Sequence, residues 1–152
     1  MDYLTYKKSL RKIVKYSRFR GVRLHWLPDL SSKGCFIPSA KRNDIYVDNL
    51  LAPKERIAVL LHEIGHHLDY CADHMSFYSR EIIEARARMT LEIPLTREQK
   101  DSLLKCERRA WKKAKGIAIR LQIPLGLWFY KEQKSNLASY IRIPVMVEPK
   151  WN

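Results

Sequence analysis

The chain has 152 residues, of which 46% are hydrophobic and 30% charged, and it contains no repeats or low-complexity tracts. This length and composition predict one globular domain spanning residues 1–152 and exclude an intrinsically disordered chain. Lys and Arg outnumber Asp and Glu by 29 to 16, for a formal net charge of +13, which favours polyanions or acidic proteins as partners unless the charges are merely solvated helix faces.

The first third of the chain predicts a helix followed by a small sheet. Apolar residues at helical spacing over residues 3–18 alternate with Lys and Arg, which is typical of an amphipathic basic helix. Strands are predicted from Val22 to Trp26, around Phe36 and around Tyr46, and the polar residues 39–43 suggest a hairpin between the last two. We therefore expect a three-stranded, partly antiparallel sheet.

The rest of the chain reads as helical. Pro53 suits the first turn of a helix that reaches about Tyr70, and a second helical stretch covers residues 76–92. The sequence from Thr96 to Gln99 resembles a capping box that starts a long helix, and a last helix covers residues 127–141 before a terminal tail at 143–152. The predicted fold class is α+β, mainly helical, with the small sheet packed on the helix that begins at Pro53.

That helix carries the pattern H-E-x-x-H at His62, Glu63 and His66. Two histidines four residues apart project from one helix face and can bind one zinc ion, while the glutamate between them can accept a proton from an attacking water. The pattern predicts metal-assisted hydrolysis of an amide bond. The alternative is two hydrogen-bonded interior histidines beside an exposed glutamate.

Gly65 lies inside this motif, although glycine within a helix costs about 1 kcal/mol relative to alanine. Its presence indicates a close neighbour, either at the floor of a site or in ordinary packing against the sheet.

A catalytic zinc site needs a third protein ligand and one open position. Glu107 is the best candidate, because it falls on the apolar stripe of the long predicted helix and a buried carboxylate needs a compensating cation. Glu81 and Glu84 are rivals, although Glu84 has Arg88 one turn away. A salt bridge from Glu107 to Arg86 or Arg88 would be the non-metal alternative.

Other polar residues near the motif have less certain roles. Asp69 shares the face of the two histidines and could either orient a ligand or lie exposed at the helix end. His67 and Cys71 point away from that face and are expected to be structural. The donor that would stabilise an oxyanion remains open among five side chains: Tyr70, Tyr78, Tyr130, Tyr140 and His67.

The cysteines and the hydropathy of the chain indicate its cellular compartment. Cys35, Cys71 and Cys106 are scattered, without a C-x-x-C pair, which argues against a disulfide framework. The N-terminal segment is Lys-rich rather than apolar, and no apolar run approaches the roughly 18 residues of a membrane span. We therefore expect a cytoplasmic protein without membrane contact.

Two segments resemble the ImmA/IrrE family of bacterial and phage zinc metallopeptidases, a gluzincin-type group. They are the stretch from Ile57 to His66, preceded by the predicted strand Ile45-Tyr46-Val47, and the stretch from Glu107 to Ala114 with its continuation to Leu121 and Pro124. The resemblance implies that His62, His66 and Glu107 hold zinc and that Glu63 is the general base. It further implies a regulatory protease, of the kind that phages and mobile elements encode, that cleaves a transcriptional repressor.

Two other functions compete with a protease. The net charge favours a basic module that binds DNA or a protein and keeps only a structural or vestigial zinc site. A DNA-linked protease of the SprT type is a third possibility, but the chain lacks the C-x-x-C zinc ribbon of that group.

Overall fold

The computed structural model describes residues 1–30, 32–39 and 41–146, and it confirms the predicted α+β fold. Three strands and six helical segments follow one another along these residues: α1 (Tyr3–Phe19), β1 (Val22–Leu27), β2 (Gly34–Ile37), β3 (Asn43–Asp48), α2 (Pro53–Ala72), α3 (His74–Phe77), α4 (Arg80–Thr90), α5 (Arg97–Arg120) and α6 (Leu127–Ile141). None of the helices in these ranges is both long and apolar enough to cross a bilayer.

The sheet has the order β1-β3-β2 and is mixed. β2 and β3 pair antiparallel, as the hairpin prediction requires, whereas β1 runs parallel to β3 with Val22 opposite Asn43 and Leu27 opposite Asp48. Alternation along the strands turns Val22, Ile45 and Val47, all fully buried, toward the helices. Because β3 lies in the middle of the sheet, β1 and β2 are the two edge strands.

α2 is the central element of the fold. Pro53 occupies its first turn, and every residue from 57 to 67 is buried, so the helix is covered on all sides rather than along one stripe. The sheet and α1 cover one side, and α5 packs along another. The histidines and the glutamate of the motif therefore lie in the interior of the molecule.

α5 begins with the predicted capping box. The Thr96 side chain accepts a hydrogen bond from the Gln99 amide at 3.1 Å, and the Gln99 side chain accepts one from the Thr96 amide at 3.0 Å. Burial of Leu103, Cys106 and Ala110 along one face then fixes the helix against α2. This places Glu107, on the same face, opposite the motif.

The structure changes two predicted elements. The helix predicted over residues 76–92 is two helices, because the Asp73 carboxylate caps the short α3 at the Ser76 amide and the chain turns at Tyr78 before α4. Residues 143–146 are not a free tail: the Leu95 amide donates to the Pro144 carbonyl at 3.1 Å, and the Met146 amide donates to the Leu95 carbonyl at 2.8 Å. Leu95 is fully buried, so its backbone groups need partners. The remainder of the predicted tail, residues 147–152, lies outside the described residues.

Candidate metal centre

Three buried side chains from two helices meet at one point. His62 and His66, one turn apart on α2, are 5% and 6% exposed, and their Nε2 atoms lie 3.1 Å apart. Glu107 of α5 is 4% exposed and places Oε2 at 3.0 Å from His62 Nε2 and Oε1 at 3.4 Å from His66 Nε2. All three residues predicted as ligands are therefore brought together.

The separations suit a shared cation. Four ligands on a tetrahedral zinc ion, bound at about 2.0–2.1 Å, lie about 3.3 Å from one another. Glu107 Oε2 is buried, and among the described residues its contact with His62 Nε2 at 3.0 Å lacks the alignment of a hydrogen bond, so a cation between the two atoms would satisfy both. The cluster of His62, His66 and Glu107 can hold a metal ion.

The electrostatics of the pair also call for positive charge at this point. Burial favours a raised pKa for Glu107, but the positive charge of His66 and the close approach of the His62 and His66 rings outweigh it and hold the pKa well below its usual range. Burial likewise opposes protonation of His66, yet the Glu107 carboxylate and the Cys106 thiol raise its pKa well above the ordinary value. A divalent cation held by the cluster would take the place of this histidine charge, because imidazole binds metals in its neutral form.

Glu63 lies beside this cluster. It is 7% exposed, so the alternative in which it is an exposed helix residue is wrong. Burial raises its pKa, while positive charge on His62 and His66 opposes that shift. Gly34 of β2 leaves room for it, because a Cβ there would lie 2.5 Å from Val59 Cγ1 and 3.1 Å from Glu63 Cγ. The edge strand thus comes close to the carboxylate without blocking it.

Neighbouring side chains hold the ligands in place. The Trp111 indole stacks on the His62 ring with centroids 4.4 Å apart and an interplanar angle of 22°, and its Nε1 donates to Asn136 Oδ1 at 2.9 Å. The Cys106 sulfur lies 3.9 Å from His66 Nδ1. His62 Nδ1 has no hydrogen-bond partner within the described ranges, so the ring is oriented by the Trp111 stack and by the contacts of Nε2 with His66 and Glu107.

The cluster opens into a cavity of about 310 Å³. Arg86, Asn136 and Tyr140 supply polar groups to its wall, and Gly34 and Cys35 of the edge strand also line it. Burial, followed by the charge of Glu107, raises the pKa of Tyr140, so the phenol keeps its proton. Of the five donors left open by the sequence, only Tyr140 lines the described part of this cavity.

Gly65 permits the close approach of α5 to α2. A Cβ at this position would overlap the carbonyl oxygen of Ala110 and lie 2.9 Å from its carbonyl carbon. The close neighbour indicated by the sequence is therefore the α5 backbone, one turn from Glu107, and not the sheet.

The rival ligands lie elsewhere. Glu84 accepts hydrogen bonds from Arg80 at 2.6 Å and Gln99 at 3.2 Å, rather than pairing with Arg88 as the sequence suggested. Glu81 is exposed on α4, outside the cluster. Glu107 forms no ion pair with an arginine in the described structure, so the non-metal alternative for it is not observed.

Asp69 fits neither of the roles considered for it. It is 5% exposed and pairs with Arg109 Nε at 2.9 Å and Lys113 Nζ at 3.5 Å, which ties α2 to α5 without touching a ligand. His67 lies away from the cluster as expected, with Nδ1 at 3.1 Å from Asn43 Nδ2, and Cys71 lies beside it. Burial, followed by the charge of Arg20, lowers the pKa of His67 to about 4, so this ring is neutral.

Sequence reasoning did not assign Gly34, Cys35, Arg86 or Asn136 to the site, although all of them line the cavity. They come from β2, α4 and α6, and nothing in their local sequence marks them as part of a site. Only the packing of those elements around α2 brings them together.

No model of a known protein family, no curated protein and no solved structure matches this chain. The resemblance to ImmA/IrrE peptidases stays a prediction based on two sequence segments. The geometry of the cluster is what bears on function.

Proposed function

We propose that this protein is a zinc-dependent endopeptidase that hydrolyses a peptide bond in a regulatory protein substrate. The observation that carries the proposal is the convergence of His62, His66 and Glu107 beside a buried Glu63, at the base of a cavity. In metal-assisted amide hydrolysis the first three would hold the metal and Glu63 would act as the base.

Zinc is the metal that best suits the donor set. Two imidazole nitrogens and one carboxylate are common ligands of catalytic zinc, and three protein ligands leave one position free. A structural zinc site uses four protein ligands, and a fourth is absent from the cluster among the described residues. The donor count therefore favours a catalytic site over a structural one.

The chemistry divides between the metal and the chain. Bound zinc supplies a lowered pKa for the attacking water and polarises the scissile carbonyl. Glu63 accepts the proton of that water and passes it to the leaving amine. The Tyr140 phenol and the Arg86 guanidinium face the cavity and are the donors available to the developing oxyanion.

The proposed substrate is a transcriptional repressor. This step rests on the resemblance of the two helical segments to ImmA/IrrE peptidases, which cleave such proteins. Cleavage would inactivate the repressor and switch transcription in the cytoplasm, as a phage or mobile element requires. The competing function is a basic binding module whose zinc site has no catalytic role.

Metal analysis tests the ligand set. Purified wild type should bind one zinc ion per chain, and Glu107→Ala should lose most of the affinity because the carboxylate is one of three ligands. Glu98→Ala, which removes an exposed acid from the same helix, is the matched control and should bind like wild type. Wild type that binds no zinc would overturn the proposal, whereas full affinity in Glu107→Ala would overturn only the third ligand.

Cleavage of a co-expressed candidate repressor tests the role of Glu63. Glu63→Gln keeps the shape of the side chain but removes the base, so it should retain zinc and lose about 10²- to 10⁴-fold in cleavage rate. Cleavage at the wild-type rate would remove Glu63 from the mechanism. Zinc-loaded wild type that leaves every candidate repressor and unfolded protein intact would favour the binding module.

A further inference from the structure

Positive charge is concentrated in the first two elements. Residues 3–28, which lie between Asp2 and Asp29, contain eight Lys or Arg and no Asp or Glu. α1 turns Tyr6, Ile13 and Ser17 toward the core, and its cations therefore face outward. This region carries far more of the net charge than its length would predict.

A groove runs along this basic region. One pocket of about 470 Å³ is lined by α1 alone, and a second of about 270 Å³ is lined by α1, the edge strand β1 and Arg42. The two pockets share Val14 and Arg18, and we call them together the α1–β1 groove. The half-buried side chains of Leu10, Val14 and Leu24 supply its apolar lining.

The cations of the groove are available to a ligand. Arg11, Lys15 and Arg18 follow one another on one face of α1, and Arg42 reaches the groove from the hairpin before β3. All four are exposed and form no ion pair in the described part of the chain. Arg23 differs, because its Nε binds Asp44 Oδ1 at 2.7 Å.

An aromatic side chain lines the far end of the groove. Trp26 on β1 is 36% exposed, so part of its indole is open to solvent. An exposed indole beside unpaired cations offers a stacking surface next to phosphate-binding groups.

We propose that the α1–β1 groove binds single-stranded nucleic acid, with Arg11, Lys15, Arg18 and Arg42 on the phosphates and Trp26 stacked on a base. The three cations of α1 are spaced by about 6 and 4.5 Å along the helix axis, which suits a ligand with regularly repeated charge. The apolar lining and the indole suit unpaired bases.

The shape of the surface favours a single strand over a duplex. Reading a duplex requires an element that protrudes into a groove of the DNA, whereas Arg18, Arg42 and Trp26 line a pocket between α1 and β1. An acidic extended peptide could instead pair with the free edge of β1, and competition with polyglutamate separates these occupants. None of the groove residues lines the metal cavity, so the proposal stands whether or not the protein is a protease.

Fluorescence anisotropy with a labelled oligothymidylate tests the groove on the full chain. Wild type should bind with an affinity that falls as salt rises. The triple variant Arg11→Glu, Lys15→Glu, Arg18→Glu should lose at least about tenfold in affinity, and the slope of log affinity against log salt should shrink by about 2, since each lost phosphate contact removes about 0.7.

A second triple variant controls for net charge. Arg97→Glu, Lys105→Glu and Lys112→Glu reverse three exposed cations of α5 that form no ion pair in the described structure, and this variant should lose less than about threefold. Equal losses in the two triple variants would overturn the proposal, because net charge alone would then explain binding.

Trp26→Ala tests stacking without changing charge. It also tests the groove if circular dichroism shows that the triple variant Arg11→Glu, Lys15→Glu, Arg18→Glu is misfolded. It should weaken oligothymidylate binding about fivefold and leave the salt slope unchanged. Wild-type affinity in Trp26→Ala would overturn the stacking contact. Tighter binding of a duplex, or displacement of the oligonucleotide by polyglutamate at equal charge concentration, would overturn the choice of a single strand.

Discussion

Gly65 shows how one residue without a side chain sets the geometry of the candidate metal centre. The carbonyl of Ala110 occupies the space that a Cβ would need, so the two helices meet backbone to backbone. Glu107 lies three residues before Ala110, and its reach to the histidines depends on this close packing. A small separation of the helices would lengthen both contacts.

We expect Gly65→Ala to lower the free energy of unfolding by about 1–3 kcal/mol, because the new methyl group forces α5 away from α2. It should also weaken zinc binding, since the ligands come from both helices. Gly116→Ala is the control: a Cβ at Gly116 of α5 would meet no described atom within 4 Å beyond its own helix, and alanine there should stabilise by about 0.5–1 kcal/mol. Denaturant unfolding measures the stability of both variants. A Gly65→Ala variant as stable as wild type would refute the close contact between Gly65 and Ala110.

At the scale of elements, Asp69 and Arg109 link α2 to α5 away from the ligands. The carboxylate is buried, whereas the Arg109 side chain is 39% exposed, so solvent screens part of the attraction. The pair therefore holds the two helices in register without contacting the cluster.

Asp69→Asn should cost about 1 kcal/mol of stability, because it removes a charged hydrogen bond to Arg109 that water only partly replaces. Zinc affinity should not change. Asp101→Asn, an exposed acid on α5, is the control and should stay within about 0.5 kcal/mol of wild type. A tenfold loss of zinc affinity in Asp69→Asn would instead mean that this carboxylate orients a ligand.

The elements also show what sequence can predict. Helix α2, its motif and the capping box of α5 depend on residues within a few turns of one another, and the sequence predicts all three. Glu107 is predictable because a carboxylate among the apolar residues of one helix face is unusual and can be seen in the sequence of that helix alone. The parallel pairing of β1 with β3, and the contributions of Arg86 and Asn136 to the cavity, depend on contacts between distant segments, so no local pattern contains them.

At the scale of the whole molecule, a bound metal would join the two helices at the centre of the fold. α2 supplies two ligands and α5 the third, and these helices make the most extensive contact in the described structure. A ligand that binds only the folded state stabilises it by an amount set by its concentration relative to Kd, about 2.7 kcal/mol at a hundredfold excess. Metal binding and global stability should therefore be coupled.

Thermal unfolding measures this coupling. Zinc should raise the Tm of wild type, a chelator should reverse the rise, and Glu63→Gln should respond like wild type because Glu63 is not a ligand. His62→Ala and Glu107→Ala should show little response, since each removes one of three ligands that the folded chain alone brings together. If zinc raised the Tm of His62→Ala as much as that of wild type, zinc would be stabilising the protein from a site other than the cluster of His62, His66 and Glu107.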